Sequence, residues 1–550
     1  MRVQWLDRDV LEIAGIARSL LADPHSVPGF LVPAQVGDIP QPAERFTPEE
    51  RAELAGLLEA KLSPLTPHVA VLDAVRSLRQ PGACVVIAGQ QPGFLASPLY
   101  NLHKALHVVR LARTLAQAWD RPVVAMFWNH ADDHDLAEVN HAFVPNENFD
   151  LQKIGLSSMA SGRQPFSRLV LSEDQHHLAS IRATLAQLYR TETHVEAALE
   201  LFCPRAGETL ARAFTRSMTD LLGSLGLVVL EPDWIRSSLS RALAGLLSRA
   251  PMNDAEHGFA AALARGAAQL RAIGHEPQID PATAALLYRV DERGRSALRF
   301  GGDGLRYDGE EGSRTFAEVA AEIVLDPAGW SPAALTRPIA QDKSLPIAAY
   351  VGGLGELAYH AQLIPLRDFV EVPRTPFVPR FSCTLIDPDV AASLETLELA
   401  AEQVLRARGG IEEVADDAGV AVPPVIGALR EIAAHAAREL SVQREALAQI
   451  DNGLAANLKR TGDQIRTLVE KICEKAERVH QNKSGRGQRH YRRVAHALFP
   501  RGLPQERVLG PLPFVARHGR TWIDELFTHV PALPREHALV FLDIEPQEPA

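Results

Sequence analysis

Between Trp128 and His141 the chain reads Trp128-Asn129-His130-Ala131-Asp132-Asp133-His134-Asp135-Leu136-Ala137-Glu138-Val139-Asn140-His141. Three carboxylates and two histidines fall within six residues of one another, a costly gathering because like charges raise one another's pKa. If a helix starts near Asp135, offsets of four and seven put His134, Glu138 and His141 on one face. Such a face suits a metal ion, a bound ammonium group or a general base. A blander reading makes Asp135 an N-cap with Glu138 at the third position and leaves the histidines solvated. Capping accounts for Asp135 and Glu138 but not for Asp133 and His134.

Two glycine-containing segments offer a different chemistry. In Gly89-Gln90-Gln91-Pro92-Gly93, followed by Pro98-Leu99-Tyr100 and Lys104, the glycines permit positive φ or close backbone approach. The helix start beyond them presents free N–H groups to an anion. The spacing fits neither the dinucleotide fingerprint nor a P-loop. In Gly352-Gly353-Leu354-Gly355-Glu356, with Tyr359 and Gln362 further on, three glycines make a second nest of donors. Arg337-Pro338 with Gln341-Asp342 lies upstream and Pro379-Arg380 downstream, so two guanidinium groups flank the segment, which suits an acidic small molecule.

The elements that must carry these segments form an alternating pattern. Cys84-Val85-Val86-Ile87-Ala88 is a short continuous apolar run rich in β-branched residues, which predicts a buried strand. Leu102, Leu106, Val109 and Ala112 recur at helical spacing, and Val123 to Trp128 predicts a second strand. Strand, helix and strand make a βαβ unit with parallel strands, so the loops after Ala88 and Trp128 leave the sheet at one edge. Further strands are predicted at Leu225 to Leu230, running into Glu231-Pro232-Asp233, and at Ile347 to Val351. A hairpin is expected over Leu286 to Tyr307, turning at Asp291-Glu292-Arg293-Gly294. Past Asp387 the apolar residues Ile426, Leu429, Ala433, Ala436, Leu440, Leu447, Ile450 and Leu454, then Ile465, Leu468, Ile472 and Val479, keep coiled-coil spacing. A helical arm that also dimerises is expected. Ala538 to Leu542 reads as a last strand.

The fold class is therefore α/β: a Rossmann-like parallel-sheet core with connective insertions, followed by an α-helical coiled-coil domain. Its organisation reads as 1–150, a lead-in and the first half of the core; 151–335, connective insertions with a further core strand near 225–233; 336–387, the second half of the core; 388–499, the coiled-coil domain; and 500–550, a C-terminal segment. The 550 residues carry 57 Lys plus Arg against 68 Asp plus Glu, a net charge of −11, which argues against broad nucleic-acid coating. Cys84, Cys203, Cys383 and Cys473 are scattered without metal spacing, as expected of reduced thiols. Neither a signal peptide nor a membrane anchor is expected, which predicts a cytoplasmic protein without membrane contact.

The ordered set of motifs above, continued by Leu498-Phe499-Pro500 and Gln505-Glu506-Arg507, resembles the bacillithiol biosynthesis cysteine-adding enzyme family along nearly the whole chain. Asp132 and Leu136 depart from it conservatively, where members often carry Glu and Phe. The resemblance implies a core reminiscent of class I aminoacyl-tRNA synthetases, although no signature of the HIGH or KMSKS type is present. It implies a ligase joining the carboxyl of L-cysteine to the amine of glucosaminyl malate, and a homodimer through the helical domain. Activation of the carboxyl calls for ATP or another nucleotide; the need for a metal stays open. The residues expected to carry catalysis are Asp133, His134, Asp135 and His141. Those expected to bind substrate or nucleotide are Gly89, Gln90, Gln91, Pro92, Gly93, Tyr100, Lys104, Asn140, Arg337, Gln341, Asp342, Gly352, Gly353, Gly355, Glu356, Tyr359, Gln362 and Arg380. Two other classes compete: a metal-dependent hydrolase using Asp133, His134 and His141, and a non-catalytic coiled-coil scaffold.

Overall fold

The computed structural model describes residues 1–11, 13, 15–147, 149–156, 163–171, 175–249, 258–280, 283–301, 304–308, 312–408, 424–481 and 486–542. Residues 543–550 of the expected C-terminal segment and 409–423 of the expected helical domain lie outside these. Strand β1 spans Arg2–Asp7, β2 Cys84–Gln90, β3 Val123–Asn129, β4 His141–Pro145, β5 Leu151–Gly155, β6 Val228–Leu230 and β7 Ala285–Asp291. They are followed by β8 Gly294–Gly301, β9 Gly304–Tyr307, β10 Trp330–Pro332, β11 Ile347–Gly352, β12 Phe377–Pro379, β13 Cys383–Ile386 and β14 Glu536–Phe541.

Five strands in the order β12-β11-β2-β3-β6 form the central sheet, and every pairing in it is parallel. Alternate side chains of each strand go to opposite layers: Val86, Ala88, Ala125 and Phe127 to one, Val85, Ile87, Val124 and Met126 to the other. Burial on both faces is why these strands are continuous apolar runs rather than alternating ones. The helix Tyr100–Trp119 crosses from β2 to β3 as the spacing predicts. The edge strand β12 is an addition; with three residues ending in Pro379, it carries too little pattern to be seen in the sequence.

The insertion between β6 and β11 holds an antiparallel sheet in the order β10-β7-β8-β9, built on the predicted hairpin. β4 and β5 pair as a hairpin across residue 150. At the far side β14 pairs antiparallel with β1 and parallel with β13, so the two ends of the chain share a sheet.

The expected coiled-coil region folds as a helical hairpin. Helices Pro424–Val442 and Asn452–Gln481 pack together, with Arg430 bonded to Glu470 and Glu477, and the Cys473 thiol 3.8 Å from the Ile426 carbonyl oxygen. Gly462 leaves room beside Ala437, whose Cα a Cβ at 462 would meet at 3.5 Å. These pairs run in opposite senses along the two helices, so the chain turns back near 443–451. Ala433 is buried, as the heptad reading requires, but Ile450, Leu468 and Ile472 are exposed. Among the described residues no helix is long and apolar enough to cross a membrane.

Candidate functional site

The loops that leave β2 and β3 do meet at the carboxyl edge of the sheet. The Gln91 amide nitrogen donates to Asp133 Oδ2 and to Glu138 Oε2, each at 2.7 Å. Alongside, the His130 N–H donates to the Gln90 carbonyl at 2.9 Å, extending the β2–β3 pairing past the strand ends. Asp133 Oδ1 accepts from the His134 backbone N–H at 2.7 Å and lies 3.4 Å from an Arg295 guanidinium nitrogen. Burial opposes ionisation of Asp133, yet the hydrogen bonds from His134 and Gln91 and the charge of Arg295 outweigh it and hold its carboxyl below the usual range.

Arg295 comes from β8 in the insertion and was not foreseen. Its guanidinium lies 3.8 Å from the centre of the Tyr288 ring and donates to His134 Nδ1 at 3.2 Å. An arginine only donates, so a neutral His134 accepts at Nδ1 and carries its proton on Nε2.

The turn after β11 closes the third side. Lys104 Nζ donates to the Gly89 carbonyl at 2.7 Å, to Gln90 Oε1 at 2.8 Å and to the Glu356 carboxylate. Glu356 in turn accepts from the Tyr350 hydroxyl at 2.8 Å and from the Gly353 N–H at 3.1 Å. Burial pulls the Lys104 ammonium below its ordinary pKa, while Glu356 works against that. Burial likewise opposes the Glu356 carboxylate, and Lys104, with the hydrogen bonds from Tyr350 and Gly353, more than offsets it. The pair stays charged because each member is the other's compensation.

Two domain descriptions match the chain in succession: the N-terminal Rossmann-like domain of bacillithiol biosynthesis BshC over residues 37–381, and the C-terminal coiled-coil domain of the same protein over 383–542. The chain belongs to the BshC family. It is 31% identical over 499 residues to the "Putative cysteine ligase BshC" of Koribacter versatilis, covering 90% of this chain and 91% of that one. The protein of the same name in Solibacter usitatus is 29% identical, with 86% of each chain covered. That of Geobacillus thermodenitrificans is 28% identical, covering 87% of this chain and 88% of the relative.

Several expected roles change within this BshC structure. The helix after Asp135 is a single turn, Leu136–Val139, so His141 falls on β4 and not on a face with His134 and Glu138. His141 Nδ1 bonds Asn140 Oδ1 at 2.9 Å and its ring stands edge-on to Phe143. Among the described residues no three His, Cys, Asp or Glu side chains gather as a metal-binding group, so the Asp133, His134 and His141 set is not assembled. Asp135 is exposed and its carboxylate caps nothing, while Glu138 serves Gln91 in place of a capping box. Asp132 belongs to Arg236, which holds both of its oxygens.

The anion nests are filled from within. The three Lys104 donors and the Gly353 N–H are already bonded, and the Arg380 guanidinium holds both oxygens of the buried Glu506 carboxylate. The glycines serve packing: a Cβ on Gly89 would stand 2.5 Å from His130 Nε2, one on Gly93 1.6 Å from the Ser97 carbonyl oxygen, and one on Gly352 2.2 Å from the Phe377 ring. Pro92 is buried between Gln91 and Gly93, and Gly355 is exposed. Tyr100 stays at the site, its hydroxyl 3.4 Å from the Gln90 amide. Arg337 donates to the Tyr359 hydroxyl at 2.9 Å and reaches Gln341 Oε1 at 3.5 Å, and burial pushes the Tyr359 phenol up to about 12. Asp342 and Gln362 are framework residues: Asp342 pairs with Arg367 and Thr375, and the Gln362 amide bonds the backbone of Ile279 in both directions.

His130 was counted in the polar run but given no role of its own. Burial, then the charges of Arg337 and Lys104, push its pKa well below the ordinary value, so it is neutral beside Gly89. Position alone would have pointed to it, as the first residue beyond β3.

Proposed function

We propose that this BshC-family chain is a ligase that joins the carboxyl of L-cysteine to the amine of glucosaminyl malate, forming the amide of bacillithiol. The observation that carries the reading is the Gln91 bridge to Asp133 and Glu138, which seats a carboxylate cluster and an imidazole at the carboxyl edge of a parallel sheet. Asp133, kept ionised, is suited to hold the sugar ammonium next to His134. The amine must lose a proton before it attacks. His134 takes that proton at Nδ1 once Arg295 gives it up, as when Arg295 turns to the carboxylate of an incoming substrate. Gln91, itself anchored on Glu138, holds the Asp133 carboxylate in place meanwhile.

Amide formation from a free carboxylate requires activation, which ATP or another nucleotide supplies. Lys104, Arg380 and the Gly353 N–H are committed within the protein and do not fit the phosphates, so no step is assigned to them. The exposed apolar residues Ile432, Ile450, Leu468 and Ile472 of the helical hairpin support a homodimer formed by a second copy of the chain. Sedimentation of Ile450→Asp/Leu468→Asp checks this: the variant runs as a monomer, and an unchanged mass overturns the dimer face.

Incubating the purified protein with cysteine, glucosaminyl malate and each of several nucleotides, with mass-spectrometric detection of the amide, tests the reaction itself. Asp133→Asn and His134→Ala should each lower turnover by about 10²-fold or more. Full product formation by both variants removes the assigned base and ammonium holder.

A further inference from the structure

A second recess opens on the other side of β6, about 650 Å³ in volume, a size that suits a small metabolite. It lies between the end of helix Pro48–Leu62, the amino end of helix Leu210–Leu222 and the loop that follows β6. None of the residues that bridge β2 and β3 lines it.

Its polar groups are unevenly paired. Arg216, at the floor, is bonded to Glu208 at 2.7 Å and to the backbone carbonyls of Leu201 and Cys203. Arg212 lies 5.8 Å from the centre of the Trp234 ring, which forms a wall. Among the described residues neither Arg212 nor Lys61, which stands at the mouth, makes an ion pair. Glu231, the residue after β6, is 4% exposed, and its Oε1 has no hydrogen-bond partner. A buried carboxyl oxygen left without a partner is a cost that a fold meets only where something else satisfies it.

We propose that this recess binds a small oxyanion-bearing metabolite, with Arg212 and Lys61 as its charge partners and Glu231 donating a hydrogen bond to it from the floor. Glu231 is faced by Asp233 of its own loop, by Thr215 and Arg212 of helix Leu210–Leu222 and by Lys61 of helix Pro48–Leu62. Burial first, and Asp233 next, push its carboxyl up to about 7, so the proton a donor needs is at hand near neutrality. An anion beside it raises that affinity further, and binding therefore takes up a proton. The proposal goes beyond the ligase reading and does not depend on it.

Calorimetry on the full chain near neutral pH, in two buffers of different ionisation enthalpy, tests the recess with L-malate and, separately, with sulfate as a non-titrating stand-in for a phosphoryl group. Saturable binding of one of them is expected, and which one binds separates a carboxylate from a phosphate ligand. Arg212→Ala and Lys61→Ala should each weaken binding about tenfold or more. Glu231→Gln, whose amide still donates, should keep most of the affinity and abolish the proton uptake. Absence of saturable binding by both probes, full affinity in Arg212→Ala and Lys61→Ala, or proton uptake that persists in Glu231→Gln overturns the proposal.

Discussion

Replacing Glu356 by Gln should cost the parallel-sheet core about 2–3 kcal/mol. Lys104 is 1% exposed, and of its three acceptors, the Gly89 carbonyl, Gln90 Oε1 and the Glu356 carboxylate, only the last carries charge. Removing one member of a buried pair typically costs about 3–5 kcal/mol, because the other is left uncompensated. The Glu356 side chain keeps 20% of its surface in solvent and a Gln amide still accepts a hydrogen bond, so the loss falls below that range. Lys104→Met should be similarly costly, since it strands the carboxylate. The double variant should lose less than the sum of the two, by about 1–3 kcal/mol. Urea titration followed by tryptophan emission reads this directly, since Trp128 on β3 is buried in the affected core. A Glu356→Gln protein within about 0.5 kcal/mol of the parent, or strict additivity in the cycle, refutes the view that this pair holds the two turns together.

Gly93→Ala should prevent stable folding of the β2 turn, because its Cβ would stand 1.6 Å from the Ser97 carbonyl oxygen, whereas Gly355→Ala, with no atom within 4 Å, should leave the denaturation midpoint unchanged. Gln91→Ala should lower turnover about tenfold without loss of stability, since it removes the donor shared by Asp133 and Glu138; unchanged kinetics would count against the bridge. Arg380 and the hydrogen bond from His103 hold the Glu506 carboxyl well below its ordinary 4.5 although burial opposes them. Its contribution is therefore complete above that value and lost as pH falls through the lower folded one, so Glu506→Gln should be less stable than the parent at neutral pH and flatten the acid side of its stability profile.

How much of this was legible depends on how local each determinant is. β2 and β3 were readable because burial on both faces writes itself into consecutive residues, Val85-Val86-Ile87-Ala88 and Val124-Ala125-Met126-Phe127. The meeting of Gln91 with Asp133 followed from one rule about parallel strands, although 42 residues separate them. The expected face of His134, Glu138 and His141 failed at a boundary: four residues of helix are too few to show a period, and His141-Ala142-Phe143-Val144 already alternates as β4. Arg295 was invisible for another reason. It lies 161 residues from His134 and reaches it through a separate sheet, and an arginine after a hairpin turn carries no mark of its destination.

Glycine and heptad patterns are read less completely, because one signal has several physical causes. Gly89 and Gly93 are required by the close approach of His130 and Ser97, a demand that the loop pattern alone does not reveal. The apolar spacing after Pro424 does report helices that pack, yet spacing alone is silent on direction, and only the pairs Ile426 with Cys473 and Arg430 with Glu470 show the chain doubling back. Doubling back leaves Ile450, Leu468 and Ile472, which share the heptad spacing, on the outside. A periodicity that one hairpin uses only in part is what a surface meeting a second copy would retain, and this links the residual pattern to the proposed dimer face tested by Ile450→Asp/Leu468→Asp.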